Sequence, residues 1–162
     1  QILDLLNEGV IQTLRQRQKD AVSRDGMDIN LCIFNLKEYK LSYAGAVNYL
    51  YVIREGELIK LVADTFSIGI PKTGEIQPFT NHDFQLQKGD ILIQYTDGYA
   101  DQLGGGKESI SKFKYPKFRE MFLSIWHLPL DQQFAIVKKN LEDWRQEIEQ
   151  TDDILVIGTK IN

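Results

Sequence analysis

The sequence predicts an α+β domain in which helices are layered on a mainly antiparallel sheet, and three observations carry that expectation. Short alternating or β-branched runs fill residues 27–62, the apolar period lengthens to about 3.6 after residue 115, and an apolar run returns near the C-terminus. Strands followed by helices and a closing strand are the order of an α+β chain, because doubly wound folds alternate the two element types. At 162 residues, a single compact domain over 1–162 is expected, with no repeat or linker dividing it.

Each element has its own local reason. Leu3, Leu6, Val10 and Leu14 fall on one stripe of residues 2–19, so a leading amphipathic helix is expected within residues 1–20. Ser23-Arg24-Asp25-Gly26 then turns the chain. Met27, Ile29, Leu31 and Ile33 alternate with Asp28, Asn30 and Cys32, the pattern of a half-buried antiparallel strand. Strands are expected at 41–44, 49–54 and 58–62, the last two joined by a hairpin through Glu55-Gly56-Glu57. Residues 64–83 read as a connection with one short strand, and Lys88-Gly89-Asp90 turns into the apolar strand Ile91–Tyr95. Phe118, Met121, Phe122 and Ile125 then form a helical stripe with Pro116 near its start. Leu130, Phe134, Val137, Leu141 and Trp144 form a second stripe with Asp131 in its first turn. A final strand follows Asp152-Asp153.

Composition removes several function classes. The chain is 43% hydrophobic and 26% charged with four prolines, far from a disordered composition. A net charge of -4 with mixed signs, and only a sparse basic run over 107–117, argues against nucleic acid as a partner. No apolar run approaches the length of a spanning helix and the N-terminus lacks signal-peptide order, so no direct membrane insertion is expected. The single Cys32 cannot form an internal disulfide, which suits a reducing, cytoplasmic setting.

Two acid-bearing strand ends are the main chemical clue. Tyr95-Thr96-Asp97-Gly98 puts a carboxylate at the exit of one apolar strand, and Asp152-Asp153 precedes another. Asp-Gly after a strand is first of all turn chemistry, and adjacent acids before a strand are first of all solvated loop residues. Neighbouring strands would nevertheless bring them within reach of one ion, and carboxylate oxygens are hard ligands that suit Mg²⁺ or Mn²⁺. Other candidates are weaker. His82 and His127 lack zinc-ligand spacing, and Gly104-Gly105-Gly106-Lys107 is followed by Glu108 where a phosphate loop needs Ser or Thr, so it reads as a mobile loop. Cys32 has no partner for nucleophilic chemistry, and Phe118, Phe122, Trp126, Phe134 and Trp144 follow helical spacing and read as core.

Arg24-Asp25-Gly26-Met27-Asp28-Ile29, Tyr43-Ala44-Gly45-Ala46, Lys88-Gly89-Asp90, Tyr95-Thr96-Asp97-Gly98-Tyr99-Ala100-Asp101 and Asp152-Asp153-Ile154, in that order, give the chain a likeness to a known family. It resembles the PPM-type (protein phosphatase 2C-like) serine/threonine phosphatases, in their bacterial SpoIIE-like branch. The resemblance implies a mainly antiparallel β-sandwich flanked by helices and a two-metal Mn²⁺ or Mg²⁺ centre. It also implies Asp97 and Asp152 as metal ligands, with Asp153 in support; Asp28 and Asp101 match no general ligand of the family. The family's first acidic motif, an Asp shortly before Gly-His-Gly, is absent from these residues. An N-terminally truncated domain that is weakly active or inactive is therefore expected, with a catalytically dead regulatory module as the alternative. The resemblance further implies a phosphorylated protein substrate such as an antagonist of an anti-sigma factor, and an upstream sensor domain that could tether the protein to a membrane. A sheet edge or apolar face left open by missing strands would favour a homodimer, formed through that edge or through the N-terminal helix. Tyr49 stands where many relatives carry proline.

Overall fold

A computed structural model describes residues 2–18, 25–71, 75–106 and 110–162. Ser23, Arg24, Lys107 and Glu108, which belong to motifs considered above, lie outside the described residues. In chain order the elements are α1 (Ile2–Thr13), β1 (Ile29–Asn35), β2 (Lys40–Ala46), β3 (Leu50–Arg54), β4 (Glu57–Leu61), β5 (His82–Gln85), β6 (Ile91–Tyr95), α2 (Gly98–Asp101), β7 (Leu103–Gly104), β8 (Ser111–Lys112), α3 (Tyr115–Ile125), α4 (Leu130–Arg145) and β9 (Val156–Lys160). The class is α+β, with four helices and antiparallel sheets among the described residues. The chain forms two compact units, one of Gln1–Leu50 with Leu61–Leu86 and the other of Tyr51–Lys60 with Gln87–Asn162.

The first unit packs α1 with the three-stranded sheet β1-β2-β5. Its core gathers Leu3, Ala44, Ala46, Ile68 and Phe79, with Leu6, Val10, Ile29 and Leu31 packed against them. The helix stops at Thr13, short of residue 19, and Leu14 is exposed. Arg15 has a φ of 52°, and the buried Gln16 turns inward, where its amide donates to the Asp25 carbonyl and accepts from the Ile70 N–H. The buried face of α1 is Leu3, Asn7 and Ile11, and Asn7 is satisfied by accepting the Gly69 N–H at 2.7 Å. Tyr43-Ala44-Gly45-Ala46 is a packing motif. A Cβ on Gly45 would lie 2.2 Å from the Tyr43 hydroxyl oxygen, which donates to the Asn48 carbonyl. Cys32 sits on β1, and burial pushes its thiol up to about 12.

The second unit is built on the sheet β4-β3-β6-β9. Glu55 and Gly56 both have positive φ, 51° and 84°, as a two-residue hairpin turn between right-twisted strands demands. The predicted stripe of α3 is borne out, since Phe118, Met121, Phe122 and Ile125 are all buried. Phe118 lies 5.0 Å, centroid to centroid, from Tyr95 and 5.1 Å from Tyr99.

The stripe of α4 needs correction. Gln133 and Val137 are buried, whereas Phe134 is 69% exposed. Gln133 takes the inner position because its amide donates to the Trp126 and Leu128 carbonyls just beyond α3, where backbone acceptors lack helical donors. Gly104 and Gly105 are also more constrained than a mobile loop. A Cβ on Gly104 would meet the Trp144 carbonyl oxygen at 2.1 Å, and the Gly105 N–H donates to that same carbonyl.

Candidate functional site

The candidate site lies where β6 and β9 end their shared ladder. The strands pair antiparallel from Ile91 opposite Lys160 to Tyr95 opposite Val156. One step further, the Thr96 N–H donates to the Leu155 carbonyl at 3.0 Å. The reciprocal bond is made by a side chain, because the Leu155 N–H donates to Thr96 Oγ1 at 2.9 Å. That hydroxyl donates in turn to the Asp153 carbonyl at 2.8 Å.

Asp97 follows as the residue preceding α2, with αR backbone angles. Gly98 is buried against the other acidic segment, and a Cβ there would meet the Asp153 carbonyl oxygen at 2.4 Å and Ile154 Cγ1 at 3.1 Å. The two acidic stretches, more than fifty residues apart in sequence, are thus joined through the residues on either side of Asp97. Asp97, Asp152 and Asp153 are all exposed. Asp152 bends back so that its Oδ1 accepts the Asp153 N–H at 2.7 Å, while its carbonyl accepts from the Gln150 amide.

The neighbouring acids have other tasks. Asp101 pairs with Lys112 at 2.6 Å, and Asp28 accepts a hydrogen bond from Ser67. His82 stacks on Tyr43 in the first unit, and His127 packs edge-on beside Trp126 in the second.

The donor chemistry suits a hard divalent ion, but the number of donors does not. Among the described residues, no three His, Cys, Asp or Glu side chains converge in a way that could hold a metal ion. Carboxylates on two adjoining loops offer hard oxygen donors, but among the described residues they do not by themselves make a complete ligand set.

The Arg54–Asp90 pair is a polar feature that sequence reasoning missed. Asp90 is 1% exposed at the other end of β6. Its carboxylate accepts both Arg54 Nε at 2.9 Å and Arg54 Nη2 at 2.8 Å, together with the Gln87 N–H. The adjacent β3 and β6 were legible as strands, but nothing local marks the thirty-six-residue partnership.

The family model described as stage II sporulation protein E (SpoIIE) matches residues 1–162. The chain belongs to the SpoIIE family. This SpoIIE-family chain is similar in fold to the SiaA-PP2C domain of Pseudomonas aeruginosa, with a TM-score of 0.80 and 24% identity, over 96% of this chain and 59% of that one. It is also similar to the manganese-presoaked phosphatase domain of the Bacillus subtilis cell-fate determinant SpoIIE, with a TM-score of 0.58 and 15% identity, over 98% and 66%. The Mycobacterium tuberculosis serine/threonine phosphatase PstP matches with a TM-score of 0.62 and 13% identity, over 96% and 67%. The chain thus spans less than two thirds of the first two of these structures. A search of curated proteins gave no match. Among the described residues, no helix is long and apolar enough to cross a membrane.

Proposed function

We propose that these residues are the greater part of a metal-dependent phosphoserine/phosphothreonine phosphatase domain of a bacterial signalling protein, and that by themselves they turn over phosphoesters weakly or not at all. The observation that carries the reading is the joint between Thr96-Asp97-Gly98 and Asp152-Asp153, set in a SpoIIE-family chain. In this reading Asp97 and Asp152 hold Mn²⁺ or Mg²⁺ and Asp153 supports them. Divalent ions in such a centre supply an activated water and neutralise phosphate charge. The chain's own part is to present exposed carboxylates on two loops fixed against each other. Low activity follows from the incomplete donor set and from the lack of an Asp–Gly-His-Gly motif in these 162 residues.

Manganese titration with a phosphoserine peptide tests this. Trace, manganese-dependent turnover that Asp97→Ala removes is expected. Full enzymatic turnover would overturn the weak-activity reading, and turnover indifferent to Asp97→Ala would overturn the site. The alternative, a regulatory module without catalysis, is favoured by the same incomplete donor set. An acidic Gly-His-Gly motif in the coding sequence before Gln1 would decide against it.

The substrate of this reading is a phosphorylated protein, such as an antagonist of an anti-sigma factor, acted on in the cytoplasm under an upstream sensor. A homodimer is supported by the edge of β9. The Thr96–Leu155 bond and the Ile161 N–H to the Asp90 carbonyl turn residues 155, 157, 159 and 161 toward β6. Val156, Gly158 and Lys160 then present their backbone groups to the edge, which no strand among the described residues covers, and Ile157 is 43% exposed. Light scattering should show concentration-dependent dimers that Gly158→Pro weakens; a monomer at every concentration would end the idea.

A further inference from the structure

The corner between β6 and β9 is held by an unusual last rung. In an antiparallel ladder, a hydrogen-bonded pair exchanges two backbone bonds. Thr96 and Leu155 exchange only one in that way, and the second is taken by the threonine hydroxyl. The same hydroxyl reaches past Ile154 to the Asp153 carbonyl, so one oxygen fastens the main chain on both sides of Ile154. Gly98 closes the arrangement from the other side of Asp97, because its missing side chain lets the Asp153 backbone approach. Asp97 is therefore flanked by two residues that each touch the Asp153–Leu155 segment.

We propose that Thr96 is a positioning residue, whose hydroxyl sets where the Asp152–Asp153 loop stands relative to Asp97. The proposal rests on the reading of these carboxylates as an ion-binding pair. It goes beyond that reading by assigning a task to a side chain that binds no ion itself. A threonine suits the task because the hydroxyl can donate and accept at once, as its two bonds here require. Valine would keep the shape and lose both bonds, and serine would keep the hydroxyl.

The test compares the 162-residue chain with Thr96→Val and Thr96→Ser by amide hydrogen exchange and by manganese-induced broadening of amide resonances at Gly98, Asp153 and Ile154. Thr96→Val should speed exchange at the Leu155 amide by roughly tenfold and raise the manganese needed for half-broadening several-fold, on the scale of a lost hydrogen bond. Thr96→Ser should stay within about twofold of the parent in both, because it keeps the same donor and acceptor. Thr96→Ala serves as a second hydroxyl-free variant if the valine protein does not fold. Parental exchange and broadening in the hydroxyl-free chain would overturn the proposal, as would a serine variant as impaired as the valine one. If the parent shows no local broadening, the ion-binding reading falls, and the exchange measurements alone decide whether the hydroxyl fixes the loop.

Discussion

The two ends of β6 carry the same residue type in opposite circumstances. At its start, Asp90 is buried, held by Nε and Nη2 of Arg54 and by the Gln87 N–H. At its exit, Asp97 is exposed between two residues fastened to the Asp153 segment. Burial commits the first carboxylate to holding the sheet together, because an ion removed from water is tolerable only while its partners stay in place. Exposure leaves the second in contact with solvent, so burial does not commit it to a structural task. The difference teaches that a carboxylate's position in a strand says little about its role until its partners are known.

Substitutions at the two ends should separate those roles. Asp90→Ala should be the most damaging, lowering unfolding free energy by about 3–5 kcal/mol in urea denaturation, since it removes the buried acceptor shared by Arg54 and the Gln87 N–H. A loss below about 1 kcal/mol, the scale of an exposed pair, would dissolve the contrast. Gly98→Ala comes next, at about 1–3 kcal/mol, because its Cβ must displace the Asp153 carbonyl. Its amide spectrum should change at Asp153 and Ile154 and stay parental around Asp90.

Cys32 tests burial elsewhere on the same principle. Its thiol is raised from 9.0 to about 12, so the folded chain binds more protons than the unfolded one between those values. The resulting stabilisation is complete below about pH 9 and is lost as pH rises toward 12. Denaturation midpoints should fall across that window in the parent more than in Cys32→Ala, and a thiol reagent at pH 8 should label the native protein far more slowly than the unfolded one. Asp97→Ala, at an exposed position, should cost clearly less stability than Asp90→Ala. A large loss there would mean that Asp97, like Asp90, is a structural residue.

Much of this was legible from local pattern. The α3 stripe and the apolar run of β6 declare themselves because period and burial coincide, and Asp97 stood out as the acid that ends that strand. What stayed hidden depends on polar side chains acting at a distance. Gln133 displaces Phe134 from the inner face of α4 because free carbonyls beyond α3 need donors, and apolar periodicity does not register that need. Asn7 and Gln16 are buried for a similar reason, as partners of backbone groups more than fifty residues away. The joint through Thr96 was equally silent, since nothing in Thr-Asp-Gly announces a bond to the Asp153 carbonyl.

Gln133 also bears on the order of assembly. Its bonds to residues 126 and 128 are local, so the α3–α4 pair can form over a short stretch of chain before any distant segment arrives. The β6–β9 ladder must instead close a loop of about sixty residues, which costs more chain entropy before it gains any contact. The acidic corner at the end of that ladder is therefore expected among the last parts of the second unit to be built. Pulse-labelled hydrogen exchange during refolding should show amides of α3 and α4 protected ahead of Thr96 and Leu155; simultaneous protection would contradict this order.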